Sequence, residues 1–140
     1  MSYSVIYSRA SVGIDAPLVS IEVHLANGIP SFTLVGLPET TVRESRERVR
    51  SAIIQSGFEF PAKRIIINLA PADLPKSGGR FDLAIAIGIL AASSQLRGEV
   101  TNQLLEQHEF LGELSLAGEI RPISGCLPAV VAATQVGRIV

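Results

Sequence analysis

The sequence predicts an α+β fold, a mixed sheet packed with about three helices, in one domain that spans residues 1–140. Short β-branched runs separated by turn signals come first, which is typical of strands. A long charged segment follows whose apolar residues recur at helical spacing. A β-branched run, a loop rich in Pro and Gly, and an alanine-rich apolar run then succeed one another, which predicts a strand, a loop and a buried helix.

The first part of the chain is predicted to form strands at 4–10, 16–25 and 31–35. Between Ile21 and Leu25, apolar and polar residues alternate, as in a strand with one buried face. Asn27 and Gly28 form a hairpin signal because both tolerate positive φ. The first three strands are therefore expected to form an antiparallel meander.

The clearest helix is predicted at 39–56, where an apolar stripe has helical spacing. Arg43, Arg46 and Arg50 lie together beside that stripe, and Arg46 repels Arg50 at i,i+4. Two interpretations stay open. The arginines contact a partner outside the helix, or they form a solvated face whose stems cover apolar surface. The pattern favours the solvated face.

The middle of the chain is predicted to contain a strand at 65–69, covered on both sides, and a buried helix at 83–92. The loop between them presents Lys76 and Arg80 ahead of a helix start, an arrangement that attracts anions. The Gly-x-x-x-x-Gly-Lys-Ser/Thr pattern of nucleotide-binding loops occurs nowhere in the chain. Asp82 is expected to cap the helix or to pair with Arg80.

The last part of the chain is predicted to contain a polar connector at 94–102, a hairpin of 108–114 with 119–123, and a helix at 125–135. Thr101 is the expected cap of the connector. Ile139 and Val140 begin a further strand-like pattern, which indicates a piece of a longer protein.

Composition argues against a membrane protein and against most metal sites. Hydrophobic residues make up 47 %, charged residues 18 %, and the net charge is −1, so any basic site must be local. No signal peptide is evident, and the longest apolar run is about half of what a bilayer requires. His24 and His108 lack neighbours at ligand spacing, and Cys126 is expected in the core. A cytoplasmic protein is predicted.

Three long stretches carry a family resemblance: Gly36-Leu-Pro-Glu-Thr-Thr-Val-Arg-Glu-Ser-Arg-Glu-Arg-Val-Arg50, Asn68-Leu-Ala-Pro-Ala-Asp-Leu-Pro-Lys-Ser-Gly-Gly-Arg-Phe-Asp-Leu83, and Phe110-Leu-Gly-Glu-Leu-Ser-Leu-Ala-Gly-Glu-Ile-Arg-Pro122. They resemble the N-terminal domain of the magnesium-chelatase-like AAA+ ATPases of the YifB/ComM group. The resemblance implies a bacterial homo-oligomeric ring, a hexamer, with a role in DNA branch migration during natural transformation. It also implies ATP and Mg²⁺ as cofactors of the ATPase module that follows, with no cofactor or metal in this segment.

The same stretches are more distantly similar to the protease domain of Lon and the C-terminal domain of RadA, which implies a ribosomal protein S5 domain 2-like fold. On that similarity, Arg80 occupies the position of the Lon nucleophile and Leu127 the position of its lysine. A guanidinium is no acyl nucleophile and leucine takes no proton. No catalytic residue is therefore expected in this segment.

The resulting hypothesis is a non-catalytic domain that helps a ring to assemble and to engage DNA. The residues expected to contact DNA phosphates or a neighbouring subunit are Lys76, Arg80, Arg43, Arg46 and Arg50. The sequence does not choose between these two partners. One alternative is an oligomerisation domain that touches no nucleic acid, and another is a residual hydrolase that uses Ser77 with Lys76 or another base.

Overall fold

A computed structural model describes residues 2–71, 79–96 and 102–140. Its elements, in chain order, are β1 (Tyr3–Arg9), β2 (Leu18–Ala26), β3 (Ser31–Val35), α1 (Glu39–Gln55), β4 (Arg64–Ala70), α2 (Asp82–Ala92), α3 (Asn102–Glu106), β5 (Glu113–Leu114), β6 (Ile120–Arg121) and α4 (Cys126–Gln135). A mixed four-stranded sheet and helices make the fold α+β, as predicted. The short helix α3 was not predicted, and the expected cap Thr101 lies outside the described residues.

The order of the strands in the sheet corrects the predicted meander. The order is β1-β2-β4-β3, in which β3 runs parallel to β4 and the other neighbours are antiparallel. Because β4 lies between β2 and β3, the meander predicted for the first three strands is wrong. The Asn27-Gly28 segment instead crosses the start of β4. Gly28 has a φ of +143°, a conformation that other residues rarely adopt, so this crossing favours glycine.

Helices α1 and α2 cover one face of the sheet. On β4, that face consists of Ile65, Ile67 and Leu69, all buried, whereas Ile66 and Asn68 on the opposite face are half-buried. The strand β4 was predicted to be covered on both faces, but only one of its faces is fully buried. Helix α2 approaches the sheet closely at Gly88, where a Cβ would lie 2.6 Å from Cγ2 of Val23.

The predicted hairpin is present but short, since only β5 and β6 pair across it. His108 and Glu109 instead extend the main sheet beyond β1. Glu109 forms a parallel bridge with Tyr7, and His108 forms one with Ile139. The strand-like pattern at the end of the sequence thus pairs within this fold.

A buried ion cluster holds this extension in place. The carboxylate of Glu109 accepts from Nε and Nη2 of Arg9 at 2.7 and 2.9 Å, and from Nη1 of Arg138 at 3.3 Å. The guanidinium of Arg138 also lies over the ring of Tyr7, 4.2 Å from its centroid. The bidentate pairing compensates the burial of the charges and ties the last residues to β1. None of the helices in the described ranges is long and apolar enough to cross a membrane.

Candidate nucleic-acid interface

Helix α1 presents three arginines to solvent. Arg43 and Arg50 are exposed, and the side chain of Arg46 is 42 % exposed. Because residues seven apart on a helix lie on the same face, Arg43 and Arg50 line up along α1 with Arg46 beside them. Arg46 pairs with Glu47 at 3.4 Å, an exposed contact that contributes little to stability. The arginines therefore form an available cationic surface.

A groove runs between α1, the start of β3 and the segment before β4. Its volume is about 460 Å³, and its charged lining residues are Arg46, Arg50, Lys63 and Glu47. The rings of Phe32 and Phe60 stack in this groove with centroids 6.5 Å apart. The guanidinium of Arg50 lies 5.9 Å from the centroid of the Phe60 ring. Cations beside aromatic rings are the combination with which proteins hold phosphates and bases.

Three of these groove residues were missed from the sequence. Lys63 and Phe60 lie just before β4, and Phe32 lies on β3, so no continuous pattern joins them to α1. A signal that could have found them is the run from Phe58 to Arg64, where two aromatic residues come shortly before a basic pair, Lys63 and Arg64. The sequence does not show that this run lies near Phe32, because that proximity follows from the pairing of β3 with β4 in the sheet.

The inner side of α1 is fixed by a buried carboxylate at the first residue of α2. Asp82, which is 1 % exposed, accepts from Oγ of Ser45 at 2.7 Å and from Nε of Arg48 at 2.6 Å. It also accepts from the backbone N–H of Leu114 at 3.2 Å. This hydrogen bonding raises the pKa of Arg48 above its ordinary value. Both roles expected for Asp82 are therefore wrong. Its ionic partner is Arg48 and not Arg80, and the N-cap residue of α2 is Phe81, with no side-chain capping hydrogen bond.

Arg80 differs from the arginines of α1 because it is buried, with only 6 % exposed. Its Nε donates to the carbonyl of Arg9 at 3.0 Å and its Nη1 to the carbonyl of Ser124 at 2.9 Å. Within the described residues, its Nη2 has no hydrogen-bond partner. Burial lowers the pKa of this guanidinium. In this arrangement Arg80 joins the end of β1 to the segment before α4 and does not face solvent.

The other residues singled out from the sequence lie elsewhere. Lys76 and Ser77 fall outside the described residues. His24 is exposed, and His108 lies near the edge of the sheet with its Nδ1 2.8 Å from the carbonyl of Leu104. The expectation that Cys126 is a core residue is wrong, because Cys126 is exposed at the start of α4. In the described ranges, no group of three or more His, Cys, Asp or Glu residues is placed to hold a metal ion.

Residues 21–140 match the model of a protein family described as subunit ChlI of Mg-chelatase. The chain belongs to the ChlI family. Within it, the chain falls in the YifB/ComM group: it is 60 % identical to competence protein ComM of Haemophilus influenzae. It is 56 % and 54 % identical to the uncharacterized YifB proteins of Salmonella typhimurium and Escherichia coli. Each alignment covers 138 residues, 99 % of this chain and 26 % of the relative. The chain thus spans about a quarter of the length of these relatives.

In this ChlI-family chain, one position equated with the Lon dyad contacts the segment before α4, and the other lies in the first turn of α4. Nη1 of Arg80 donates to Ser124 and lies 3.9 Å from the place where a Cβ on Gly125 would stand. Leu127 follows two residues later, with 74 % of its surface exposed. One position holds a guanidinium bonded to the backbone, and the other holds an exposed hydrocarbon.

Proposed function

We propose that this chain is the non-catalytic N-terminal domain of an ATP-dependent AAA+ protein and that α1 and its groove contact the DNA backbone. The observation that carries the DNA role is the convergence of Arg46, Arg50 and Lys63 on a groove that also contains the stacked pair of Phe32 and Phe60. Lysine and arginine neutralise phosphates, while aromatic rings stack with bases. The net charge of −1 makes this local surface, rather than the whole domain, the attractive element.

The remainder of the proposal concerns the longer protein. A ring, a hexamer by family resemblance, would multiply weak contacts from each domain. ATP and Mg²⁺ would bind to the part of the protein outside this chain. One relative is named a competence protein, which fits a role in natural transformation. Branch migration of DNA is the activity that the family resemblance implies. Such a protein would work in the cytoplasm. Lys76 would add a further contact with a DNA phosphate.

Two alternatives from the sequence remain as outcomes of a test. In the first, the same surface contacts a neighbouring subunit and the domain only supports assembly. In the second, Ser77 and Lys76 form a hydrolytic pair. The groove favours DNA over the first alternative because its cations outnumber its single carboxylate, Glu47, and a subunit contact would require acidic complementarity.

The test is fluorescence anisotropy of the assembled full-length protein with single-stranded and forked DNA over a range of salt concentrations. The double variant Arg46→Ala, Arg50→Ala should bind DNA more weakly than the unmodified protein. For single strands, the slope of log K against log salt should become shallower by about 1.4, since each lost phosphate contact changes it by about 0.7.

A matched control is Arg121→Ala, which removes an exposed arginine of β6 that does not line the groove. This variant should leave the salt slope unchanged. Unchanged DNA binding by the groove variant, combined with loss of the ring on gel filtration, would establish the subunit contact instead. Labelling of Ser77 by a fluorophosphonate probe would establish the hydrolase.

A further inference from the structure

Arg80 is a buried cation that has no counter-charge among the described residues. The other buried arginine, Arg9, has a bidentate partner in the carboxylate of Glu109. The partly buried Arg48 pairs with Asp82. The guanidinium of Arg80, in contrast, donates to two backbone carbonyls, which carry no full charge. Because a buried charge is costly unless an opposite charge compensates it, an anion beside Arg80 would stabilise this part of the fold.

One nitrogen of this guanidinium is also unused. Its Nη2 is closed to bulk water and has no hydrogen-bond partner in the described ranges. Burial lowers the pKa of Arg80, and the nearby Cys126 offsets only part of that effect. An anion that accepts from Nη2 would satisfy the donor and the charge together.

The guanidinium lies against the N-terminal end of α4. Its Nη1 donates to the carbonyl of Ser124 at 2.9 Å. The same nitrogen lies 3.9 Å from the place where a Cβ on Gly125, the N-cap residue of α4, would stand. Because the guanidinium is a rigid planar fork, Nη2 lies next to Nη1 at this end of the helix. The hydroxyl oxygen of Ser11 is 2.7 Å from the same Cβ position, so it belongs to this cluster.

The first turn of α4 adds backbone donors. No side chain in the described part of the chain caps it, and Pro128 carries no N–H. Ala129 already donates to the carbonyl of Gly125 at 3.4 Å. The N–H groups of Cys126 and Leu127 are therefore the two donors that open the helix, and their partial positive charge attracts anions. A helix end alone would not identify a site, but here a buried guanidinium lies beside it.

We propose that the N-terminal end of α4, together with Arg80 and the hydroxyl of Ser11, binds a terminal phosphate group. The donors come from three separate segments, which suits the oxygens of a tetrahedral anion better than the two coplanar oxygens of a carboxylate. Ser11, Ser124 and Cys126 are exposed, so the ligand enters from this side.

The burial of Arg80 decides which phosphate groups fit. An internal phosphodiester of DNA has a sugar on each side and does not fit at a guanidinium that is only 6 % exposed. A terminal phosphate reaches such a group with one end. The site shares no residue with the α1 groove, so it does not depend on the DNA role of that groove.

The first test uses the thiol of Cys126, the single cysteine of this chain, as a reporter beside the site. Iodoacetamide labels it in the full-length protein, with any cysteine outside this chain replaced by serine. The rate is measured as inorganic phosphate replaces chloride at constant ionic strength. A bound phosphate covers the thiol and repels its thiolate, so labelling should become about ten times slower at a phosphate concentration ten times the dissociation constant.

The matched control is a cysteine at the opposite end of the same helix. Val136→Cys, in a Cys126→Ser background, replaces a residue that is 59 % exposed at the C-cap of α4. Its labelling rate should not depend on phosphate. Equal slowing at both positions would show a general effect of phosphate and overturn the proposal. No slowing at Cys126 would mean that Arg80 obtains its counter-charge elsewhere, and would overturn it as well.

Two variants test the donors. Arg80→Gln removes the charge and should abolish the protection by phosphate. Ser11→Ala changes an exposed position and should weaken the affinity for phosphate about two- to tenfold, through the loss of one hydrogen bond. Ser11→Ala decides alone if Arg80→Gln does not fold. Unchanged protection in the folded variants would show an adventitious ion only and would overturn the proposal.

A second series identifies the source of the phosphate group. Two oligonucleotides of one sequence, with a 5′-phosphate or a 5′-hydroxyl, replace inorganic phosphate in the labelling assay. Protection by the 5′-phosphorylated strand at a lower concentration than inorganic phosphate would assign the site to DNA ends. Protection only at an equal or higher concentration, or none, would assign it to free phosphate. Equal protection by the 5′-hydroxyl strand would mean that internal phosphodiesters bind, which contradicts a site for a terminal phosphate.

Discussion

Helices α1 and α4 both lie on the surface of the domain, yet they present opposite chemistry to their surroundings. The inward face of α1 contributes apolar residues such as Val49 and Ile53 to the core, and its outward face contributes arginines and glutamates. The inward face of α4 contributes Ala129 and Ala133, and its outward face contributes branched hydrocarbons. The first is the usual amphipathic arrangement, whereas the second reverses it.

The two helices also differ in how they are attached. Beyond its apolar stripe, α1 is joined to α2 by the hydrogen bonds that Ser45 and Arg48 donate to the buried Asp82. Helix α4 has two alanine contacts, which remove little area from water. The comparison suggests that α1 keeps its position without a partner, so its charged face stays available to soluble ligands. Helix α4 leaves most of its hydrocarbon exposed, since Leu127, Val130 and Val131 are 74 %, 38 % and 49 % exposed.

The largest effect is expected when the hydrogen bonds that join α1 to Asp82 are removed, which tests whether they hold α1 in place. The substitution Asp82→Ala leaves Ser45, Arg48 and the N–H of Leu114 without their acceptor in a buried site. We expect a loss of about 3–5 kcal/mol in the free energy of unfolding, measured by urea denaturation. The exposed Glu119→Ala serves as a control and should change it by less than about 0.5 kcal/mol. A small effect of Asp82→Ala would show that the apolar stripe alone holds α1.

A smaller loss in the free energy of unfolding is expected when the contact between α4 and the rest of the domain is overfilled. Ala129 is fully buried, so Ala129→Leu forces extra methyl groups into a filled contact and should cost about 1–3 kcal/mol. The matched control, Val131→Leu, enlarges a side chain on the outward face of the same helix and should stay within about 0.5 kcal/mol. Thermal unfolding of both variants checks the pair. The reverse order would mean that the two faces of α4 have been assigned incorrectly.

Local patterns predicted most elements of this fold but not their arrangement. The helices at α1, α2 and α4 and the strands β1 to β4 follow from apolar spacing within each segment. The sheet order depends on β4, which is distant in sequence and inserts beside β2. The Asn27-Gly28 pair indicates positive φ equally well for a tight hairpin and for a crossing over Arg64, so no local signal distinguishes them.

The sequence could group candidate residues that one helix carries, but it could not group residues that come from separate segments. Arg43, Arg46 and Arg50 share one helical face, which the sequence displays directly. Arg80 illustrates the opposite case: its charge predicts exposure, but carbonyls of the distant residues Arg9 and Ser124 bind it in the interior. The burial of Arg80 depends on residues that are distant in sequence, so the residues around it do not predict it.

The smallest predicted effect concerns the ion pair between Arg46 and Glu47 on the outward face of α1. The atoms Nε and Oε1 are 3.4 Å apart, and the side chains are 42 % and 64 % exposed. A double-mutant cycle of Arg46→Ala and Glu47→Ala should give a coupling below about 0.5 kcal/mol, since solvent screens exposed pairs. A weak coupling means that Arg46 can leave Glu47 for a phosphate at almost no cost to the fold. A coupling above about 1.5 kcal/mol would instead make this arginine part of the structure of α1, and the outward face would no longer be free for a ligand.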